Sequence, residues 1–162
     1  MDAARWILER LEGGDLDRRL LLLEWVRLLL ERQPLIEPLG LKELLLRRAA
    51  DPVAEVANKV TMCVAKAIEA DRDFGHQLAL RLHERDETLV RRAMADVLTR
   101  LFRRLTWDAL PLLDDMLQSD DEGVLAAASA TVGDVKYLDK EQWADRLRQQ
   151  VDHPLAIVRR NL

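Results

Sequence analysis

Apolar positions recur along this chain with a period of 34 residues. Val56, Val90, Val124 and Val158 are each separated by that step, and Leu22 lies one step before Val56. Further apolar columns keep the same register: Val26, Val60, Met94, Ala128 and Leu162; Leu11, Leu45, Ala79, Leu113 and Leu147; Ile7, Leu41, Gly75, Ala109 and Trp143. A fixed period of 20–50 residues is typical of repeat architectures. The sequence therefore predicts five structural repeats.

Each repeat divides into two stretches with helical periodicity, which we call helix A and helix B. In the third repeat Val90, Met94, Val97, Leu98 and Leu101 share one face of a helix. The predicted A and B helices are 2–12 and 15–33, 37–50 and 52–70, 73–85 and 87–105, 107–118 and 121–138, and 140–150 and 154–162. Side chains that can accept hydrogen bonds from exposed N–H groups precede or begin several of them, namely Asp51, Asp73, Thr106, Asp120, Asp139 and Asp152. Asp139 with Gln142 also forms a capping-box pattern.

The repeat resembles the HEAT family. The passages RLHERDETLVRRAMADVL and VDHPLAIVRRNL carry the resemblance best, with a Leu-rich first helix, an acidic turn and then Val-Arg. The second and fourth units, DPVAEVANKVTMCVAKAI and SDDEGVLAAASATVGDV, keep the turn and Val but replace Arg. The tetratricopeptide pattern fits less well, because the chain has one Tyr, two Phe and no Leu-Gly within a first helix.

The predicted fold is all-α: a right-handed HEAT-like solenoid of about four and a half helix pairs, forming a single domain over residues 1–162. Stacking of neighbouring pairs buries the apolar stripe that one pair leaves exposed. The last B helix is about half as long as the others and carries Leu155, Ile157 and Val158 near the end of the sequence. We therefore expect either a piece of a longer array or an end surface used for self-association.

Composition supports a folded helical protein and places it in a reducing compartment. Apolar residues make up 49% of the chain and charged residues 33%, which is not the composition of a disordered chain. The net charge of −4 argues against a general polyanion binder. A single Cys63 fits the cytoplasm, and Glu24 and Arg27 interrupt the run LLLLEWVRLLL, so no membrane association is expected.

HEAT-like solenoids usually line their inner curve with the B helices, so the resemblance directs attention to B-helix residues opposite the core. At 100° per residue from Val90, these are the candidate partner-binding residues Arg92, Asp96, Thr99, Arg103, Ala126, Ala130, Gly133, Tyr137 and Met62. One interpretation is a shallow peptide- or helix-binding groove at the small residues. The other is tight packing of neighbouring helices over them, which would also explain a costly Gly133 within a helix.

Two arginines match the HEAT arginine position. Arg91 and Arg159 each follow the Val of the first apolar column. We expect them to pair with turn carboxylates such as Asp86, Asp120 or Asp152 across neighbouring units.

No catalytic constellation emerges, and neither a cofactor nor a metal site is predicted. His83-Glu84 resembles one dyad of the deoxyhypusine hydroxylases, but the other histidines have no matching Glu. Cys63 occupies the core register of Val97 and Leu29, which favours an inert buried thiol. The predicted function is a protein–protein interaction or scaffolding module that binds a protein or peptide partner.

The alternative is a small DNA-binding or DNA-repair protein related to the alkylation-repair glycosylases, which share the HEAT-like architecture and use Trp, Asp and Arg side chains. Trp6, Trp25, Trp107 and Trp143 supply aromatics, and Trp107 precedes Asp108. Phosphates favour a cationic surface, however, and only the third B helix is basic. Nucleic acid is therefore not the expected partner.

Overall fold

The computed structural model describes residues 2–161, and these residues form helices joined by turns, with no strand among them. The α-helices are α1 (Asp2–Glu12), α2 (Leu16–Leu29), α3 (Gln33–Ile36), α4 (Leu41–Ala49), α5 (Ala54–Ala70), α6 (Arg72–His83), α7 (Thr88–Leu105), α8 (Leu110–Met116), α9 (Glu122–Val135), α10 (Lys140–Gln150) and α11 (Ala156–Arg160). The all-α prediction is confirmed. The predicted last residue of the final helix, Leu162, lies outside the described residues.

Most predicted helices are present, and the main differences lie at prolines and at one glycine. The predicted second helix, 15–33, ends at Leu29, and a short α3 with Pro34 in its first turn follows it. Gly40 then adopts a left-handed conformation with φ of 62° immediately before α4. The predicted helix 107–118 instead begins as a 3₁₀ turn, Thr106–Ala109, ahead of α8. Proline lacks the N–H that a continuous helix needs at this point, which explains both interruptions.

Aspartates cap four helices. The Asp139 carboxylate accepts hydrogen bonds from the N–H groups of Glu141 and Gln142, which confirms the predicted cap of α10. Asp15 caps α2 in the same way. For α6 and α9 the predicted caps, Asp73 and Asp120, are wrong. The capping residues there are Asp71 and Asp121, because these are the positions with the extended backbone that an N-cap requires.

The remaining predicted caps are also wrong. Val53 stands at the start of α5, and Asp51 instead accepts a hydrogen bond from the Val53 N–H in a turn. The Thr106 hydroxyl donates to the carbonyl of the preceding residue. At the start of α11 the ring Nδ1 of His153, rather than Asp152, accepts from the Leu155 N–H.

The chain divides into two compact units, Met1–Val90 and Arg91–Leu162, and the division falls within α7. In the first unit α1 packs against α2, α4 against α5, and α5 against α6. Helix α2 also lies beside α5, and α4 beside α6. In the second unit α9 packs against α8, α10 and α11. In each unit, therefore, helices about one repeat apart in sequence are neighbours in space.

The predicted apolar columns form the core. Leu22, Val56, Val90, Val124 and Val158 are all completely buried. In the column that begins at Leu11, Leu45, Ala79 and Leu113 are buried, whereas Leu11 and Leu147, which belong to the first and last repeats, are partly exposed. This pattern is expected when each repeat is covered by its neighbours.

A close approach of two helices makes a glycine necessary at position 75. An ideal Cβ at Gly75 would lie 2.4 Å from the backbone nitrogen of Ile68, so α5 and α6 leave no room for a side chain. Gly133 is different, because nothing lies within 4 Å of the position where its Cβ would be. Tight packing therefore explains Gly75 and does not explain Gly133.

A buried ion network joins three helices of the first unit at Asp51. Arg19 of α2 and Arg48 of α4 donate to its two carboxylate oxygens at 2.8 and 2.9 Å. Arg85, which follows α6, donates to the Asp51 backbone carbonyl at 2.9 Å. Burial by itself would raise the pKa of Asp51, but the Val53 N–H and the two guanidinium groups outweigh it, and the pKa lies below its ordinary value. A buried carboxylate paired in this way is costly to lose.

We expect Asp51→Asn to lower the free energy of unfolding at pH 7 by about 3 kcal/mol, because it removes the buried carboxylate with which the Arg19 and Arg48 guanidinium groups pair. Since the folded-state pKa is lowered, the contribution of the carboxylate is present above its unfolded-state pKa of about 3.9 and is lost as the pH falls through the folded value. Urea denaturation at pH 7 and at acid pH measures both effects. The exposed Asp120→Asn serves as a control within about 0.5 kcal/mol of the parent, and an equal loss in both variants would contradict this account.

Alanine substitution at Gly133 and at Gly75 should have opposite effects on stability. Gly133→Ala should stabilise the protein by about 1 kcal/mol, because alanine favours the helix and the added methyl meets no atom. Gly75→Ala should destabilise it by about 1–3 kcal/mol, because α5 and α6 must separate. Thermal denaturation of the two variants tests the pair. Destabilisation by Gly133→Ala would show that the small residues of α9 are tightly packed after all.

Candidate protein-binding surface

Side chains of α7 and α9 form a ladder of polar contacts within the second unit. Arg92 Nε lies 3.0 Å from an Asp121 oxygen near the start of α9. The hydroxyls of Thr99 and Thr131 share a hydrogen bond of 2.8 Å midway along. Arg103 Nε donates to Asp134 at 3.1 Å near the far end. The two helices therefore run side by side with their C-terminal ends close together.

Eight of the nine predicted partner-binding residues belong to this pair of helices and the turn after α9. Five of the eight are exposed, namely Arg92, Asp96, Arg103, Ala130 and Tyr137, and the other three, Thr99, Ala126 and Gly133, are partly exposed. Met62 is exposed too, but it lies on α5 in the other compact unit. The structure thus places eight predicted residues on two adjoining helices, and their role in binding stays a prediction.

Two of the candidate partner-binding residues, Arg92 and Arg103, are engaged with carboxylates. Hydrogen bonding to Asp121 raises the pKa of Arg92, and the same contact, with the N–H of Val124, lowers the pKa of Asp121. Arg103 is held by Asp134. Both pairs are open to solvent, so water and salt screen the attraction between their charges. They orient the two arginine side chains along the surface more than they hold the helices together.

Arg91 and Arg159 have other partners than those predicted for them from the sequence. Arg91 lies 3.5 Å from Asp115 of α8, not beside Asp86 or Asp120. Arg159 donates to the backbone carbonyls of His153 and Pro154 rather than to Asp152. The turn carboxylate that does pair with an arginine of α7 is Asp121, and its partner is Arg92, the residue after Arg91.

The small residues of α9 fall into two groups. Ala126 contacts the residue that follows α11, since Asn161 Nδ2 donates to the Ala126 carbonyl at 2.9 Å and to Ser129 Oγ at 2.9 Å. Ala130 is exposed, and the space above Gly133 is empty. The tight-packing interpretation therefore describes Ala126, whereas Ala130 and Gly133 lie along an open strip that ends at Tyr137.

A recess of about 290 Å³ opens beside this strip, at the C-terminal ends of α7 and α9. The residues that line it are Phe102, Arg103, Thr106, Asp134, Tyr137 and Leu138. Tyr137 is 77% exposed, and the Lys136 ammonium lies 5.0 Å from the centre of its ring. The recess has an apolar floor at Phe102 and Leu138 and an ion pair, Arg103 with Asp134, at its edge. This combination suits a partner's side chain whose apolar part packs on the floor of the recess while neighbouring polar groups contact the ion pair at its edge.

Thr106 shapes the recess through its backbone. Its φ of 55° lies in the left-handed region, which is uncommon for a β-branched residue, and its hydroxyl bonds the Leu105 carbonyl at 2.7 Å. The sharp turn directs the chain away from α7, so that the end of α7 stays open. Sequence reasoning missed Phe102, Thr106 and Leu138, because a helical wheel does not show where a helix ends and turns.

The remaining candidates for chemistry have structural roles. Burial raises the pKa of the Cys63 thiol to about 12, which bears out the prediction of an inert thiol. Asp114 accepts a hydrogen bond from Arg146 at 2.7 Å, and Asp121 caps α9. Across residues 2–161 no group of three or more His, Cys, Asp or Glu side chains is arranged to hold a metal ion. Within the same range no helix is long and apolar enough to cross a membrane.

Comparisons with known proteins give the fold but no family. No family model matches the chain, and no curated protein matches it. Among solved structures, the crystal structure of an engineered protein matches with a TM-score of 0.66 at 15% sequence identity, covering 99% of this chain and 76% of that chain. At this identity the likeness concerns the fold alone, and it is consistent with an all-α arrangement.

Proposed function

We propose that this protein is a protein–protein interaction module built as a right-handed HEAT-like solenoid, which binds a peptide or helix of its partner along α7 and α9. Contacts between positions about one repeat apart support the solenoid in both units. In the first unit Arg47 meets Glu12, and Lys66 meets Glu31. In the second, Arg146 meets Asp114.

The Tyr137 recess is the observation that carries the proposed function. A tyrosine ring that is 77% exposed, next to an apolar recess of about 290 Å³, resembles the anchor positions at which interfaces concentrate their binding energy. The open strip at Ala130 and Gly133 leads to the recess and leaves room for a partner's backbone. Side chains of α7 border the strip on one side, and Arg103 supplies a hydrogen-bond donor at the recess itself.

The charges of α7 favour a protein partner over nucleic acid. Arg91, Arg92 and Arg103 each contact a carboxylate of α8, α9 or the turn before α9. A phosphate would have to displace that carboxylate, which removes much of the electrostatic gain of binding. A carbonyl group of a peptide can instead accept a hydrogen bond from one of these arginines while the arginine keeps its carboxylate partner.

Two further expectations stay predictions. Val151 and Ile157 are exposed beside the last repeat, as self-association through that repeat requires. The buried Cys63 fits the cytoplasmic location that the sequence predicts.

Selection of displayed random peptides against the full chain tests the proposed surface. We expect selected peptides to bind Tyr137→Ala at least roughly tenfold more weakly than the parent, since loss of a central aromatic anchor costs about 2 kcal/mol. Ala130→Arg should block the strip and weaken binding to a similar extent. Fluorescence polarisation measures the affinities, and circular dichroism verifies that both variants are folded.

Ala3→Arg on α1 is the matched control, because it adds the same side chain at an exposed helical alanine of the other unit. It should leave the affinity unchanged. Peptides that bind Tyr137→Ala and Ala130→Arg as tightly as the parent would show that the partner surface lies elsewhere.

A further inference from the structure

The two charges at the edge of the Tyr137 recess differ in how far they are open to a partner. In the ion pair there, the Arg103 side chain is 68% exposed, whereas the Asp134 side chain is 16% exposed. Arg103 contacts the two carboxylate oxygens through Nε and Nη2, at 3.1 and 3.4 Å. A guanidinium group has further N–H donors, so its Nη1 edge remains for a partner. A ligand that approaches the recess therefore meets more of the guanidinium than of the carboxylate.

Lys136 adds a positive charge that no acidic side chain balances. It is exposed, and its ammonium lies 5.0 Å from the centre of the Tyr137 ring. Across residues 2–161 this ring is what engages the ammonium, and no carboxylate pairs with it. A contact with an aromatic ring leaves the N–H donors of lysine able to bind an anion. The ring that borders the recess thus carries a cation without a counter-charge.

The acceptors near Lys136 in sequence and at the ends of the two helices are already engaged. The Asp139 carboxylate accepts hydrogen bonds from N–H groups at the start of α10, at 2.8 and 3.1 Å. The Asp134 and Val135 carbonyls at the end of α9 accept from N–H groups of the turn that follows. At the end of α7 the Thr106 hydroxyl donates to the preceding carbonyl. An anionic group therefore complements the mouth of the recess better than a cationic group does.

The interior of the recess suits one apolar side chain. Its volume of about 290 Å³ lies at the small end of ligand pockets, which measure about 300–1,000 Å³. Phe102, which is 2% exposed, lies at its floor, and Leu138 also lines it. A charged group placed on this floor would lose water without gaining a partner, which is costly. The anionic group of a ligand therefore belongs at the mouth, and an apolar group belongs inside.

We propose that the Tyr137 recess recognises an acidic peptide segment of its protein partner. An apolar side chain such as Leu or Phe occupies the recess, and a neighbouring Asp or Glu of the peptide pairs with Lys136. The Nη1 edge of Arg103 donates to a backbone carbonyl of the peptide. This inference rests on the proposed function, because it names the partner chemistry of the same surface. Since the new ion pair is exposed, it selects among peptides more than it adds to affinity.

A peptide library with a fixed apolar anchor tests the partner chemistry. Each displayed peptide carries Leu or Phe at one position, and the flanking positions vary among Asp, Glu, Ser, Lys and Arg. Peptides selected on the full chain should be enriched in Asp and Glu relative to the unselected library. At low ionic strength they should bind Lys136→Glu at least about fivefold more weakly than the parent, because attraction becomes repulsion. Lys136→Arg keeps the charge and should bind as the parent does.

Lys140→Glu is the matched control. Lys140 is also exposed and lies four residues further along, but it does not line the recess. The same change of net charge should alter peptide affinity by less than about twofold, since exposed charges farther apart are screened. A charge exchange then identifies the contact itself. A selected peptide whose carboxylate is replaced by lysine should bind Lys136→Glu more tightly than it binds the parent.

The outcomes separate this inference from the proposed function. Circular dichroism first verifies that the variants are folded. Selected peptides that lose affinity for Tyr137→Ala, but carry no excess of acidic residues or bind Lys136→Glu as tightly as the parent, overturn the acidic partner and leave the peptide-binding surface standing. Selected peptides that bind Tyr137→Ala as tightly as the parent overturn both.

Discussion

Burial of an apolar stripe between helices about 34 residues apart is the constraint on which the rest of this structure depends. A helix pair of this size cannot bury its own stripe, so each pair needs a neighbour on either side. The completely buried column from Leu22 to Val158 records that requirement in every repeat. Polar contacts then fix the register of neighbouring helices, because a hydroxyl pair such as Thr99 and Thr131 forms only when the two helices are correctly aligned.

The same constraint decides which surfaces remain for function. Residues that face a neighbouring repeat are committed to apolar packing or to ladders such as Arg103 with Asp134. Ala130 lies on the side of α9 that is turned away from the buried Val124, and it is exposed. The binding surface proposed on α7 and α9 follows from this exposure.

The sequence predicted the core and the exposed side of the B helices, because both follow from periodicity. Val90 is buried and Arg92 is exposed on α7 for the same reason: their positions differ by about half a turn of the helical wheel. Periodicity does not report distances between helices. It could not show that Gly75 lies against Ile68 while Gly133 meets empty space, although both are glycines within helices. Nor could it choose Asp121 over Asp120 as a cap, since that choice depends on the backbone conformation of one residue.

Disulfide trapping between α7 and α9 tests the register most directly. The Thr99 and Thr131 hydroxyl oxygens are 2.8 Å apart, so cysteines at both positions fall within reach of a disulfide. In a Cys63→Ala background, mild oxidation of the Thr99→Cys, Thr131→Cys variant should give complete intramolecular cross-linking by mass spectrometry. The out-of-register pair Arg92→Cys, Thr131→Cys lies about two helical turns, or about 10 Å, away along the axis and should stay reduced. Cross-linking of the second pair but not of the first would contradict the stacking that this account places between the repeats.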